Sequence, residues 1–166
     1  MMFRARDECE QYEKQYGIKM PGAVLAERMA LQFHTRTVYA SQRPIGTSMV
    51  LATHDIMKGA QLWMITPAGE LFQYYGCASG RGKQLVRNEI EKGKFRELTV
   101  QEALPKVAKM LLKAQDEMRE KKMEIELSVL TEVNKQWCHR IVDRVTADRM
   151  TVEAQEAIEN EDEEMN

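Results

Sequence analysis

The chain has 166 residues, a length that suits one domain with a substantial buried core. Charged residues make up 30% and hydrophobic residues 43% of it, as is usual in a globular protein. A net charge of −2 and a pI near 6.0 give no reason to expect binding to nucleic acid or to a membrane surface. The sequence contains no apolar run of the length that a membrane span needs, and its start, Met-Met-Phe-Arg-Ala-Arg, does not have the apolar core expected of a signal peptide. Three widely spaced cysteines indicate reduced thiols and an intracellular compartment.

Two helices are predicted before the first strand. The first covers Ala5–Tyr16 and stops at Gly17, and the second begins after Pro21 and covers Gly22–Gln42. The second helix has apolar residues on two faces, so we expect both faces to be covered. The first helix begins almost at the initiator methionine and has no N-cap residue. We therefore expect that an upstream part of the fold is missing.

Three strands follow, predicted at Ser48–Thr53, Ala60–Thr66 and Glu70–Ala78. The first is nearly continuous in apolar residues, which is typical of a strand buried on both faces. Tight turns at Lys58-Gly59 and Pro67–Gly69 separate the three strands. Because connections this short join neighbouring antiparallel strands, the pattern disfavours a Rossmann-type fold.

The second half of the chain begins with two further helices. The third helix is predicted at Arg81–Lys92, and the fourth opens with the capping box Thr99–Glu102. Its apolar stripe includes Val100, Leu104, Val107, Leu111 and Met118. Pro105 lies inside this helix, where we expect it to remove a hydrogen bond and cause a kink.

A hairpin and a helix end the predicted fold. Strict alternation of apolar and polar residues predicts a strand at Met123–Val129, and its return strand is predicted at Trp137–Val142. The last helix is predicted at Ala147–Ile158, and the acidic residues 159–166 are predicted to form a disordered tail. This order predicts an α+β fold, with helices covering antiparallel sheets, as one domain over residues 1–158.

The segment Gly76–Gln84 lies between a strand and a helix, where a phosphate-binding loop would lie. The P-loop pattern requires glycine where this chain has Cys77, and serine or threonine where it has Gln84. We therefore interpret the glycines of this segment as a sharp turn into the helix.

Catalytic and metal-binding patterns are weak elsewhere. Cys138 and His139 are neighbours on a predicted strand and point to opposite faces, so they cannot act as a nucleophile and its base. Cys9, Cys77 and Cys138 lack the paired spacing of zinc ligands. The aromatic residues Trp63, Phe72, Tyr74 and Tyr75 lack a surrounding basic stripe, so we interpret them as core or interface packing. We predict no catalytic residue, no cofactor and no metal site.

Several short segments, in this order and spacing, resemble the alpha-type subunits of the eukaryotic 20S proteasome from about Ala5 to the acidic C-terminus. The matching segments are Arg43-Pro44 with Gly46, Gly59–Leu62 with Pro67 and Gly69, Tyr75–Ala78 with Gly80, Glu89–Lys92, and Glu124–Ser128. Six residues are the candidate site residues, each with a structural role: Arg43, Pro44, Gly46, Gly69, Gly76 and Gly80.

The sequence also departs from the family pattern. Thr66 replaces the usual aspartate before Pro67, so we expect this turn to lose an Asx hydrogen bond. Pro105 falls where the family has an unbroken helix, and the last helix is expected to be shorter than in the family. The resemblance also implies that the gate-forming N-terminal tail, the helix after it and the first strands are absent.

The resemblance implies a partial four-layer αββα sandwich of antiparallel sheets, of the N-terminal-nucleophile hydrolase type, that lacks its N-terminal strands. It implies a non-catalytic structural subunit of the alpha ring that supports ring assembly and ubiquitin-dependent protein degradation. The expected partners are other proteasome alpha and beta subunits in a hetero-oligomeric ring, with no nucleic acid and no membrane. The expected location is the cytoplasm and the nucleus.

Two alternatives remain beside this hypothesis. The chain could be an orphan or truncated interaction module of the same fold with no proteolytic role. The proteolytic subunits use an N-terminal threonine whose own amine is the base, whereas this chain starts Met-Met-Phe; we therefore expect no enzyme activity unless processing exposes a nucleophile. Without the missing strands, we expect the chain alone to be aggregation-prone or loosely folded.

Overall fold

The computed structural model describes residues 1–117 and 124–164, which form two compact units, Met1–Tyr75 and Gly76–Asn166. Each unit combines helices with one antiparallel sheet, so the predicted α+β class is confirmed. Within the described ranges, none of the helices combines the length and the hydropathy needed to cross a bilayer. The division into one domain over residues 1–158 and a tail over residues 159–166 stays a prediction.

The first unit opens with two helices, α1 (Met2–Tyr16) and α2 (Gly22–Val38). Helix α1 ends where predicted, because Gly17 adopts the left-handed conformation at φ 70° and donates its N–H to the Glu13 carbonyl. The prediction that α2 continues to Gln42 is wrong, since Tyr39 is already extended at φ −88° and ψ 117°.

The early end of α2 has a local cause. Near the end of the helix, the hydroxyl of Thr35 donates to the Leu31 carbonyl at 2.7 Å, and the hydroxyl of Thr37 donates to the His34 carbonyl at 2.7 Å. Such bonds offer helix carbonyls a side-chain partner and disfavour further helical turns in a β-branched stretch.

The sheet of the first unit has three antiparallel strands in the order β1-β2-β3: β1 (Met49–Asp55), β2 (Gly59–Ile65) and β3 (Leu71–Tyr74). The prediction of neighbouring antiparallel strands is confirmed. The prediction that β3 reaches Ala78 is wrong, because its register with β2 ends at the pair Leu62–Tyr74. Beyond this pair the backbone turns into the glycine-containing segment that leads to the next helix.

The second unit contains three helices, α3 (Lys83–Lys92), α4 (Val100–Glu117) and α5 (Arg144–Glu164), with a 3₁₀ turn at Phe95–Glu97. Helix α4 packs against both α3 and α5. The core between α4 and α5 consists of buried Ala108, Leu112 and Ala154, with Ile125 and Ile158 packed against it.

The capping box that starts α4 is confirmed. The backbone N–H and the hydroxyl of Thr99 donate to the Glu102 carboxylate at 2.8 and 2.7 Å, and the Glu102 N–H donates to the Thr99 hydroxyl at 3.4 Å. These hydrogen bonds hold the pKa of Glu102 below its usual value. Helix α4 continues through Pro105 as one element, and the expected kink stays a prediction. Met118 of the predicted apolar stripe lies outside the described residues.

The hairpin of the second unit is formed by β4 (Ser128–Val133) and β5 (Gln136–Ile141) around a turn at Asn134-Lys135. The prediction of a strand beginning at Met123 is wrong for residues 124–127, which are not a strand; Met123 itself lies outside the described residues. The predicted alternation in burial holds, since Leu127 is buried and its neighbours Glu126 and Ser128 are exposed. The Val142 N–H still donates to the Leu127 carbonyl at 2.9 Å, but the strand pairing ends at the pair Ser128–Ile141.

Helix α5 begins before the predicted Ala147 and continues past the predicted end at Ile158. At its start, the carboxylate of Asp143 accepts a hydrogen bond from the Thr146 N–H at 2.9 Å, and this N-cap fixes the helix origin. The predictions for both ends of the last helix are therefore wrong. Residues 165–166 lie outside the described residues.

Candidate assembly surface

One face of the three-stranded sheet, the covered face, packs against α2. Its core contains Phe33 and Met29 of α2 and Ile65 of β2, all three fully buried. Further strand residues complete this face: Met49, Leu51 and Leu71. Because side chains alternate along a strand, the residues between them must point away from α2.

The opposite side of the same sheet, the open face, is also apolar. The strand register places six residues there: Val50, Ala52, Leu62, Met64, Phe72 and Tyr74. The central residue Met64 is buried at 7% exposure, whereas the outer strands leave Phe72 46%, Val50 47% and Tyr74 38% exposed. The rings of Phe72 and Tyr74 lie 6.2 Å apart in a tilted arrangement, so they form one continuous aromatic patch.

The open face corrects the prediction that β1 is buried on both faces. Val50 and Ala52 are exposed, while Met49 and Leu51 are partly buried against α2. A contiguous apolar sheet surface of this kind marks a binding surface or an incomplete core. In the described residues, β1 and β3 each pair on one side only, so both edges also offer free backbone groups.

The aromatic residues predicted to serve core or interface packing separate between the two faces. Trp63 is on the covered face and donates its ring N–H to the Thr53 hydroxyl at 3.1 Å. Phe72 and Tyr74 are on the open face. The alternation of residues 71–74 along one strand could have predicted this difference. The four aromatic residues were instead interpreted as one group.

The turn between β2 and β3 lies close to α2, and Gly69 makes this close approach possible. Gly69 has φ +88°, and a Cβ built there would lie 2.6 Å from the Cβ of His34 and 2.7 Å from its backbone nitrogen. The Nδ1 atom of His34 lies 3.4 Å from the Ala68 carbonyl oxygen. Only glycine fits both the conformation and the space.

The same turn shows which hydrogen bonds Thr66 forms in the place of aspartate. The Thr66 hydroxyl accepts a hydrogen bond from the Glu70 N–H at 3.2 Å and donates to the Glu70 carboxylate at 3.1 Å. Threonine can form the side-chain turn bond that aspartate forms elsewhere. The turn therefore keeps a side-chain hydrogen bond, supplied by threonine in place of the Asx bond.

The Arg43-Pro44-Gly46 motif lies in the connection from α2 to β1. Arg43, Pro44 and Gly46 are exposed, and only Ile45 between them packs against the core. A Cβ built at Gly46 would meet no atom within 4 Å among those described. The structural roles of Arg43, Pro44 and Gly46 stay predictions.

The glycine-rich segment of the second unit contains the remaining candidate residues. A Cβ at Gly76 would lie 2.7 Å from the Ile90 side chain, so Gly76 allows close packing against α3. Gly80 has φ +122°, a conformation that only glycine adopts readily. The α3 N-cap is Gly82, which makes no side-chain capping bond. This geometry supports the interpretation of the segment as a turn into α3.

The cysteines do not have the environment of nucleophiles. Burial raises the pKa of the Cys77 thiol, and burial with the neighbouring charge of Glu8 raises that of Cys9, whereas reactive cysteines have lowered values. Cys138 pairs in register with Thr131 and His139 with Leu130, so the two side chains point to opposite faces. In the part of the chain that the structure describes, no group of three or more potential metal ligands comes together.

These observations define an α+β protein with helices and antiparallel sheets, in which one face of the three-stranded sheet keeps exposed apolar residues on its outer strands. The sequence profile of the family described as "Proteasome subunit" matches residues 1–130. The chain is 36% identical over 161 residues to "Proteasome subunit alpha type-3" of Dictyostelium discoideum, covering 96% of this chain and 64% of that protein. It is 39% identical over 160 residues to the subunit of the same name from Oryza sativa subsp. japonica, covering 96% and 63%. It is also 38% identical over 125 residues to "Probable proteasome subunit alpha type-7" of Schizosaccharomyces pombe, covering 75% and 49%.

The chain belongs to the proteasome subunit family, and its relatives carry the names of alpha-type subunits. This confirms the resemblance inferred from the short motifs of the sequence. The chain spans about 64% of the length of the first of these relatives.

Proposed function

We propose that this chain is a non-catalytic structural subunit of the alpha ring of the 20S core proteasome, where it supports ring assembly and ubiquitin-dependent protein degradation. Its partners in this proposal are other proteasome alpha and beta subunits in a hetero-oligomeric ring, in the cytoplasm and the nucleus. The family membership supports the proposal, since the similar proteins are named as alpha-type proteasome subunits.

The open face is the structural observation that carries the proposal. A sheet with Val50, Phe72 and Tyr74 still 38–47% exposed has apolar surface available for further burial. Burying it stabilises the chain by about 25 cal/mol for each Å² of apolar area removed from water. Another protein layer within the particle provides such a cover, whereas a monomer in water does not.

Helix α2 supports the same interpretation. Its inner face is buried against the sheet, but Leu31 and Val38, spaced by seven residues, are 61% and 62% exposed on another face. An apolar stripe on the outside of a helix that already covers a sheet fits a subunit between layers of a stacked assembly.

Co-migration tests the proposal. The chain carries a C-terminal tag and is expressed in a cell that contains the remaining subunits, and native particles are separated by size. We expect the tagged chain in a particle that also contains alpha and beta subunits. Recovery only as a monomer, or with a partner outside that particle, would instead identify an independent interaction module.

A separate experiment tests the proposal that the chain is not catalytic. Particles that contain the tagged chain are treated with an electrophilic probe that labels N-terminal threonine nucleophiles. We expect labelled beta subunits and an unlabelled tagged chain. A label on the tagged chain, with mass spectrometry showing a new N-terminal threonine, serine or cysteine, would contradict the proposal.

A further inference from the structure

The turn between β1 and β2 presents two large apolar side chains to solvent. Ile56 is 95% exposed and Met57 is 89% exposed, the two highest values among the large apolar residues of the described chain. We call these two residues the hairpin tip. Within its own unit, the fold therefore buries almost nothing of either side chain.

The backbone of the hairpin tip is held in place by its neighbours. The Asp55 carboxylate accepts hydrogen bonds from the N–H groups of Met57 at 2.8 Å and Lys58 at 3.1 Å. Gly59 supplies the positive φ of +72° that returns the chain to β2. Asp55 and Gly59 therefore determine the conformation of the turn. The turn does not require isoleucine at position 56 or methionine at position 57.

A second exposed hairpin turn provides a comparison for the hairpin tip. The turn between β4 and β5 consists of Asn134 and Lys135, with φ 51° and 63°. Both residues are polar, as expected where side chains face water. The large apolar pair Ile56-Met57 differs from that polar turn; the turn between β2 and β3 also exposes residues without polar side chains, Pro67 and Ala68, but both are smaller.

We propose that the hairpin tip is a preformed apolar anchor that inserts into an apolar socket on a neighbouring subunit of the same particle. Stable protein interfaces bury about 1,200–2,000 Å² in total, far more than two side chains can contribute. The tip therefore requires a partner that is already held by other contacts, as an adjacent subunit is. Because the turn is already formed, insertion loses little conformational entropy. The proposal rests on the proposed function.

The test uses the full tagged chain with Ile56→Ser and Met57→Ser together, expressed with the remaining subunits. The matched control is Ile56→Leu with Met57→Leu, which keeps the apolar character at the same positions. We expect the serine variant to lose about tenfold in its share of the assembled particle, as truncation of anchor residues commonly does. The leucine variant is expected to assemble like the unchanged chain. Circular dichroism melts of both variants are expected to match the unchanged chain, since neither side chain is buried.

The outcomes separate this inference from the proposed function. If the unchanged chain assembles and the serine variant assembles equally well, the inference is wrong and the proposed function stands. If the unchanged chain does not enter the particle at all, the proposed function fails first and the inference fails with it. Co-sedimentation of the unchanged chain with phosphatidylcholine–phosphatidylserine vesicles, lost in the serine variant while assembly is unaffected, would assign the tip to a membrane and overturn the inference.

Discussion

The two faces of the three-stranded sheet have similar apolar composition but differ in burial on the outer strands, although Met64 at the centre of the open face is itself buried. The covered face contributes Ile65, which is fully buried under α2, whereas the open face contributes Phe72, which is 46% exposed. The residues alternate along the same strands, so their local backbone environment is the same. The difference therefore lies in what packs on each face. Apolar residues on a strand indicate that the face is suited to burial, but they do not indicate which element buries it.

The first prediction concerns the covered face, where the largest effect is expected. Phe33→Ala removes a fully buried ring from the core between α2 and the sheet, and we expect a loss of about 3–5 kcal/mol in the free energy of unfolding. The measurement is urea denaturation of the isolated chain, followed by circular dichroism. Phe72→Ala is the matched control on the open face, with an expected loss of about 1 kcal/mol or less. Equal losses for the two variants would remove the distinction between the faces.

The sequence could predict the features that depend on local chemistry. Gly17 as a helix stop and the Thr99–Glu102 capping box are each set by a few neighbouring residues, and both are confirmed. The order of short antiparallel strands in the first unit is also confirmed, because tight turns leave the chain few other ways to pair.

Features that depend on distant segments could not be predicted in this way. Val50 and Leu51 are equally apolar in sequence, and only the position of α2 decides that Leu51 is covered and Val50 is exposed. Residues 124–127 have the alternation of a strand, but a ladder also requires a partner strand of matching length. The candidate site, as an open sheet face, therefore became visible only when helix, register and exposure were known together.

The second prediction concerns the turn that attaches the sheet to α2. Gly69→Ala introduces a Cβ at φ +88° and within 2.8 Å of three His34 atoms. We expect a loss of about 1–3 kcal/mol from backbone strain and displacement of the turn. The measurement is the urea midpoint of the isolated chain.

Gly46→Ala is the control for that substitution. A Cβ added at Gly46 would have no described atom within 4 Å, and Gly46 does not have a positive φ. We expect a change of about 0.5 kcal/mol or less. A similar loss at both positions would mean that the covered face does not depend on the close approach of the turn to His34.

The third prediction concerns the open face, where the smallest effect on unfolding is expected. Phe72→Ser together with Tyr74→Ser replaces two partly exposed rings, so we expect a loss in the free energy of unfolding of about 1–2 kcal/mol. Self-association should fall, because the contiguous apolar surface that favours aggregation is interrupted. Sedimentation velocity over a range of concentrations measures this change.

Leu71→Ser separates the two faces within a single strand. Leu71 lies next to the open-face position Phe72 in sequence but packs against the α2 core. Its replacement should therefore lower the free energy of unfolding and leave the open face apolar, so association should persist or increase as more of the chain unfolds. If the open-face serine variant associates as strongly as the unchanged chain, the open face is not the surface through which the isolated chain aggregates. If the open-face serine variant remains monomeric but no longer enters the particle, the open face has two roles. It causes aggregation of the isolated chain, and it contributes to assembly of the particle.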